Sequence, residues 1–216
     1  EWYLIQTPDN YISWIDHGGI AIVSETEYLN YHKDNYTFNK IQGFAYESIQ
    51  KKEIVSDLVV GSILSVIDKK NNFYKIQYPD NRVGWVDSRY LSQIHESSKS
   101  STSDLIINSK KFIGVPYLWG GTSSKGFDCS GFTKTVYLMS GLVIPRDASQ
   151  QVNEGLLVDR EREWDKLQEG DLMFFGYYKE GIRRIDHVAI WMGNGNFIQA
   201  SKNVRINSVY SDNPAF

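Results

Sequence analysis

The 216 residues contain a single cysteine, Cys129, and four histidines, His17, His32, His95 and His187. A thiol served by an imidazole is the minimum for nucleophilic catalysis. The base draws off the proton to make a thiolate, then returns it to the leaving group. One cysteine excludes an internal disulfide and a cysteine-based zinc site, so this thiol is either a buried apolar group or a reactive one. Its surroundings favour reactivity. Asp128 precedes it, Gly120, Gly121 and Gly126 read as loop, and Phe132, Val136 and Met139 recur at helical spacing. Asp128 then acts as an N-cap and Cys129 stands in the first helical turn. Unpaired N–H groups and the positive helix end there are expected to lower the thiol pKa from about 8.5.

The base should share the domain of the thiol. His17, His32 and His95 fall in the N-terminal half or at a linker edge and read as surface histidines. His187 heads the apolar run 188–192, which turns at Gly193-Asn194-Gly195 and returns through residues 196–201. A third polar group that orients the imidazole completes such sites, and Gln199 is the candidate. Register tests it. A three-residue loop, Gly193 to Gly195, pairs Ala189 with Gln199 and puts His187 on the same face. A two-residue Asn194-Gly195 turn, the simpler rule for Asn-Gly, puts the two on opposite faces.

The elements that carry these residues follow from a repeat. Trp2-Tyr3-Leu4-Ile5-Gln6-Thr7-Pro8-Asp9-Asn10 returns as Phe73-Tyr74-Lys75-Ile76-Gln77-Tyr78-Pro79-Asp80-Asn81, and Trp14-Ile15-Asp16 as Trp85-Val86-Asp87, at a constant offset of 71. Each copy reads as strand, Pro-Asp-Asn turn and strand, a β-hairpin. The second copy has an upstream strand at 61–67, and the first has none, which predicts a natural chain that is longer or was cut. Residues 96–103 are a Ser-rich linker, with Ser103 as N-cap of a helix that stops at Gly114. Residues 104–216 are long enough for an independent core.

Composition bounds the rest. Hydrophobic content of 41% and charge of 23% suit a globular protein, and 14% aromatic residues suit β-rich modules. A net charge of −3 leaves no electrostatic footprint for nucleic acid or anionic membrane, and no apolar run is long enough to span a membrane. The absence of a ligand cluster calls for no metal or other cofactor. The chain opens at Glu1 without Met or signal peptide, as a processed exported chain or a trimmed one would.

Val83-Gly84-Trp85-Val86-Asp87 and its hairpin resemble the bacterial SH3-like barrels, as the tail of one barrel over 1–26 and a second over 27–95. Asp128-Cys129-Ser130-Gly131, Gly170-Asp171-Leu172-Met173-Phe174-Phe175 and His187-Val188-Ala189-Ile190 resemble the NlpC family of papain-like cell-wall cysteine peptidases, across residues 104–216. The implied fold class is an α+β papain-like catalytic domain, a helix-borne cysteine packed on an antiparallel sheet, preceded by small all-β barrels. The implied reaction is hydrolysis of the γ-D-glutamyl bond to a diamino acid in murein peptides. The family usually has His where this chain has Gln199.

Tyr117-Leu118-Trp119-Gly120-Gly121 and Pro145-Arg146-Asp147-Ala148-Ser149-Gln150-Gln151 resemble the recycling members, which take free tri- or tetrapeptides. That resemblance implies that Asp147 pairs with the free amine of L-Ala, as a buried carboxylate that a blocked terminus would leave unpaired. Tyr117, Trp119, Asp128, Ser130 and Ser149 would line the pocket, and Tyr11 of the first barrel would wall it off. The Cys129 N–H and Tyr117 would form the oxyanion hole. The alternatives are an endopeptidase acting on intact peptidoglycan and a non-catalytic wall-binding protein. A monomer in the cell envelope, periplasmic or secreted, is expected, with cytoplasmic recycling as the other possibility.

Overall fold

A computed structural model describes residues 1–31, 35–93, 102–159 and 162–215. His32, His95 and most of the Ser-rich linker lie outside the described residues. The chain divides into two compact units, Glu1–Ser98 and Lys99–Phe216.

In the first unit, β1 (Trp2–Gln6) and β2 (Ile12–Asp16) pair as a two-stranded sheet of their own. α1 (Glu25–Tyr31) follows and crosses the expected 26/27 boundary. It is started by a capping box: the Glu27 carboxylate accepts from the Ser24 N–H and hydroxyl at 2.7 Å each, and the Glu27 N–H donates to Ser24 Oγ at 3.3 Å. Seven strands then form one antiparallel sheet. They are β3 (Asn35–Phe38), β4 (Gln42–Tyr46), β5 (Ile54–Val59), β6 (Ile63–Lys70), β7 (Phe73–Gln77), β8 (Val83–Asp87) and β9 (Leu91–Gln93), in the order β5-β4-β8-β7-β6-β3-β9. Their alternate residues Phe38, Ala45, Leu58, Leu64, Val66, Ile76 and Val86 meet in one apolar core.

The repeat survives as geometry. β7 and β8 begin 71 residues after β1 and β2. Asn10 and Asn81 both take positive φ, 62° and 67°, and the Gln6 and Gln77 side-chain amides donate to Asn10 Oδ1 and Asn81 Oδ1 respectively. Asp16 and Asp87 each cap the 3-10 turn that follows.

The second unit holds the chemistry. α2 (Thr102–Lys110) begins one residue before the expected cap, and Gly114 follows at φ +91°. The short strands β10 (Thr122–Ser123) and β11 (Gly126–Phe127) lead into α3 (Cys129–Met139), and α4 (Ala148–Gln151) follows. The antiparallel sheet β12 (Leu172–Lys179), β13 (Ile182–Gly193), β14 (Asn196–Ser201) and β15 (Asn203–Ser208) completes it. Phe112, Phe127 and Phe132 meet edge to face at 5.0–6.2 Å, tying α3 to the loops before it. One set of apolar side chains, Val188 with Leu172 and Phe174, packs against Cys129 and Ala148. Another, Met173, Ala189, Trp191 and Phe197, packs against Trp164 and Leu167. With both faces covered, residues 188–191 are buried without alternation, which is why that stretch of sequence reads as one apolar run.

Candidate active site

Asp128 caps α3 as its sequence position predicts: Oδ1 accepts from the Gly131 N–H at 2.7 Å, and Cys129 is the first helical residue. The same carboxylate does far more. Oδ2 accepts from the Gly120 N–H at 3.0 Å, and Arg146 grips both oxygens through Nη1 at 3.1 Å and Nη2 at 2.6 Å. Arg146 Nη1 also donates to Ser130 Oγ at 3.0 Å. Five donors, counting the Ser130 hydroxyl at 3.4 Å, surround a group with about four lone-pair sites. The expected substrate-lining role of Asp128 therefore has little capacity left to it. It is a buried node that fixes the helix start, the Gly120 loop and Arg146 together.

Gly131 lets that loop sit close. A Cβ there would lie 2.0 Å from the Gly121 carbonyl oxygen, which already accepts from the Asp128 N–H at 3.0 Å. Gly131→Ala is thus expected to cost about 1–3 kcal/mol by overpacking and to disturb the cysteine turn. Thermal unfolding and activity of the variant check this, and wild-type values for both would contradict it.

Cys129 is buried against Val188, the neighbour of His187 in β13. Its thiol sits above the ordinary cysteine value, not below it. Burial is the main cause and the Asp128 charge adds to it, while backbone N–H groups of Val188, Ser130 and Cys129 pull the other way. The helix-start effect expected from sequence is real but is outweighed by desolvation. Burial, with the nearby Cys129 and Asp128 charges, also raises the Tyr117 phenol.

His187 does not head its strand. β13 starts at Ile182, and a bulge falls just before the histidine: Phe175 pairs with His187, but Gly176 pairs with Ile185, leaving Asp186 extra. Bulges re-aim side chains, and this one lies beside the candidate base. At the other end, Asn194 and Gly195 take φ of 52° and 75°, as a two-residue primed turn requires. A second bulge, with Gly193 at φ +83° pairing with Asn196, then restores Ile190 opposite Ile198. Extended by one residue, that register sets Ala189 opposite Gln199. The simple turn and the shared face, which the sequence set against each other, are both obtained because the bulge absorbs one residue.

The outcome is a contact of 2.5 Å between His187 Nε2 and Gln199 Oε1. The Gln199 Nε2 donates to Asn207 Oδ1 at 2.8 Å, and Asn207 Nδ2 donates to the Ala215 carbonyl at 2.8 Å. The Phe175 ring lies 5.6 Å from the imidazole. An imidazole that donates from Nε2 keeps Nδ1 free as a base.

The remaining predicted residues spread outward. Asp147 is the N-terminal flank of α4, where its N–H donates to Gln150 Oε1 at 3.2 Å. Its side chain is 44% exposed and 3.9 Å from Arg146 Nη1, so it is not the buried carboxylate expected. α4 turns Ala148 and Gln151 inward and leaves the Asp147 side chain partly in solvent. Ser149 is exposed, its carbonyl accepting from Asn153, and Trp119 is 87% exposed. Tyr11 belongs to the first unit, preceding β2, with its carbonyl accepting from the Thr7 N–H at 2.9 Å. Arg146 and Asn207 were not picked out by the sequence reading. Arg146 lies in the quoted Pro145-Arg146-Asp147 motif, whereas Asn207 carries no local signal. A concavity of about 460 Å³ at the β13–β14 turn, lined by Trp164, Trp191 and Tyr210, includes none of the predicted residues. Among the described residues, no group of His, Cys, Asp and Glu could hold a metal ion.

Residues 114–215 match the NlpC/P60 family, and residues 50–92 match the bacterial SH3 domain. The chain is 37% identical over 142 residues to the gamma-D-glutamyl-L-lysine dipeptidyl-peptidase of Bacillus cereus, covering 64% of this chain and 41% of that one. It is 36% identical over 166 residues to the protein of the same name from Bacillus subtilis, covering 76% and 52%. The chain thus spans about half the length of these curated relatives. The crystal structure of an NlpC/P60 family protein from Bacillus cereus matches 99% of this chain and 71% of its own, with a TM-score of 0.78 at 28% identity. The residues that hold Cys129, His187 and Gln199 therefore form a domain of the NlpC/P60 family, in a chain that also carries a bacterial SH3 domain.

Proposed function

We propose that this domain is a cysteine peptidase that hydrolyses the γ-D-glutamyl bond to a diamino acid in murein peptides with a free N-terminal L-Ala. The observation that carries the reading is the 2.5 Å contact of His187 with Gln199, in the domain where Cys129 opens a helix against Val188. The names of the two Bacillus relatives support the bond chosen.

In this mechanism the Cys129 proton passes to His187 Nδ1 and the sulfur attacks the γ-carbonyl carbon of D-Glu. The Cys129 N–H and Tyr117 stabilise the oxyanion. His187 gives its proton to the departing amine of the diamino acid, leaving a thioester. Water, deprotonated by His187, then attacks the thioester, releasing L-Ala-γ-D-Glu and restoring the thiol. Gln199 orients the ring throughout. It cannot offset imidazolium charge as a carboxylate would. Asp147 takes the amine, with Tyr117, Trp119, Ser130 and Ser149 as the remaining contacts. The site would work in the cell envelope on soluble peptides.

The test is a matched pair, L-Ala-γ-D-Glu-diaminopimelate and its N-acetyl form. Because Asp147 is 44% exposed, the ion pair it offers is weaker than a buried one, and about tenfold preference for the free amine is expected. Equal cleavage would remove the Asp147 clamp. The exposure of Asp147 and Trp119 would then favour a second reading, an endopeptidase on intact peptidoglycan.

A further inference from the structure

The Gln199 amide has an oxygen and a nitrogen of almost the same size, and only one orientation serves a base. With Oε1 toward His187, the ring must carry its proton on Nε2, and Nδ1 is left to accept the thiol proton. With the amide turned over, its NH₂ faces Nε2, which must then be the bare nitrogen, and Nδ1 holds the proton. That ring is no base toward Cys129. Nothing in Gln199 itself decides between them.

The hydrogen-bond chain behind it does. The Ala215 main-chain carbonyl can only accept, and it takes the Asn207 Nδ2–H at 2.8 Å. Asn207 must therefore turn Oδ1 inward, where it accepts from Gln199 Nε2 at 2.8 Å. Gln199 must then present Oε1 to His187 Nε2. The chain is anchored at its far end, since the same Ala215 carbonyl accepts from the Ser208 N–H at 2.9 Å and the Ala215 N–H donates to Asn213 Oδ1 at 2.9 Å. Placement in the sheet agrees. Asn207 pairs with Phe197 in the β14–β15 register, one diagonal step from Gln199. Directly opposite Gln199 stands Arg205, which offers donors only and would favour the reversed amide.

We infer that Asn207 is a positioning residue that sets the tautomer of His187 by way of the Gln199 amide, with the Ala215 carbonyl as the reference acceptor. The inference rests on the peptidase reading for its meaning but not for its test. ¹⁵N spectra of the neutral imidazole report the tautomer whether or not any peptide is cleaved. The full chain is expected to show the Nε2–H form. Asn207→Leu is expected to show a mixture with Nδ1–H, and a drop of at least about tenfold in kcat/KM with little change in KM, because a wrong tautomer removes the base. Gln199→Glu presents an oxygen in either orientation, so Gln199→Glu/Asn207→Leu should recover the Nε2–H form and most of the activity that Asn207→Leu lost. Asn207→Leu with a wild-type Nε2–H spectrum would overturn the inference, whether its activity is kept or lost. A peptidase assay blank in the wild-type chain would overturn the proposed function and leave the tautomer result standing on its own.

Discussion

Cys129→Ala is expected to lower kcat/KM on γ-D-glutamyl peptides by about 10⁴-fold or more, with the fold unchanged. The sulfur is the nucleophile of the proposed mechanism, and groups that act as a unit lose nearly everything when one is removed. The structure adds a sharper expectation about how the thiol is activated. Burial holds it above the ordinary cysteine value, so the helix start does not supply a standing thiolate. In the proposed mechanism, proton transfer to His187 does so. With burial keeping the thiol protonated, the reactive thiolate would come from proton transfer to His187 and be lost with the imidazole. In His187→Ala, alkylation of Cys129 by iodoacetamide should therefore be at least about tenfold slower at pH 7 than in wild type, and should rise only on the alkaline side of an ordinary cysteine. Equal alkylation of the two proteins at pH 7 would mean that His187 does not serve the sulfur.

The largest effect on stability is expected at Arg146. Its side chain and that of Asp128 are each 11% exposed and joined by two short hydrogen bonds. Arg146→Leu would leave a buried carboxylate without its counter-charge, and breaking such a pair from one side costs about 3–5 kcal/mol. The loss should be seen as a lowered calorimetric transition. Asp128→Asn on top of it should recover a large part, because a neutral amide there has less need of a cation. If Arg146→Leu unfolds with wild type, Asp128 is held by its backbone donors alone. The assignment of the pair as the node of the site then fails.

What the sequence made legible was local or periodic. The offset of 71 became two hairpins with matching Asn turns and Asp caps, because each copy contains its own strand, turn and cap. Asp128 and Cys129 could be set at a helix start because the cap and the apolar spacing lie within a dozen residues. The sharing of a face by His187 and Gln199 was reachable only as a choice between turns, since nothing in Gly193-Asn194-Gly195 announces a bulge. α1 carried a readable signal, Ser24 followed three residues later by Glu27, within a stretch assigned to barrel.

The other misses are tertiary. The direction of the thiol pKa turns on desolvation by Val188 and its neighbours, 59 residues further along the chain in β13. Arg146 was read as part of a motif around Asp147, but it is the arginine, turned inward, that meets Asp128. The carboxylate beside it is left at the surface. Asn207 matters only because β15 lies beside β14, and no spacing within either strand shows that an amide there would face another amide.

The measurement that bears most directly on the central claim is product identification by mass spectrometry. The wild-type chain and Cys129→Ala would each be incubated with L-Ala-γ-D-Glu-L-Lys and with its diaminopimelate counterpart. The account predicts L-Ala-γ-D-Glu and the free diamino acid from wild type, and neither from the variant. Cleavage at another bond, products that persist in Cys129→Ala, or intact peptides throughout would contradict it.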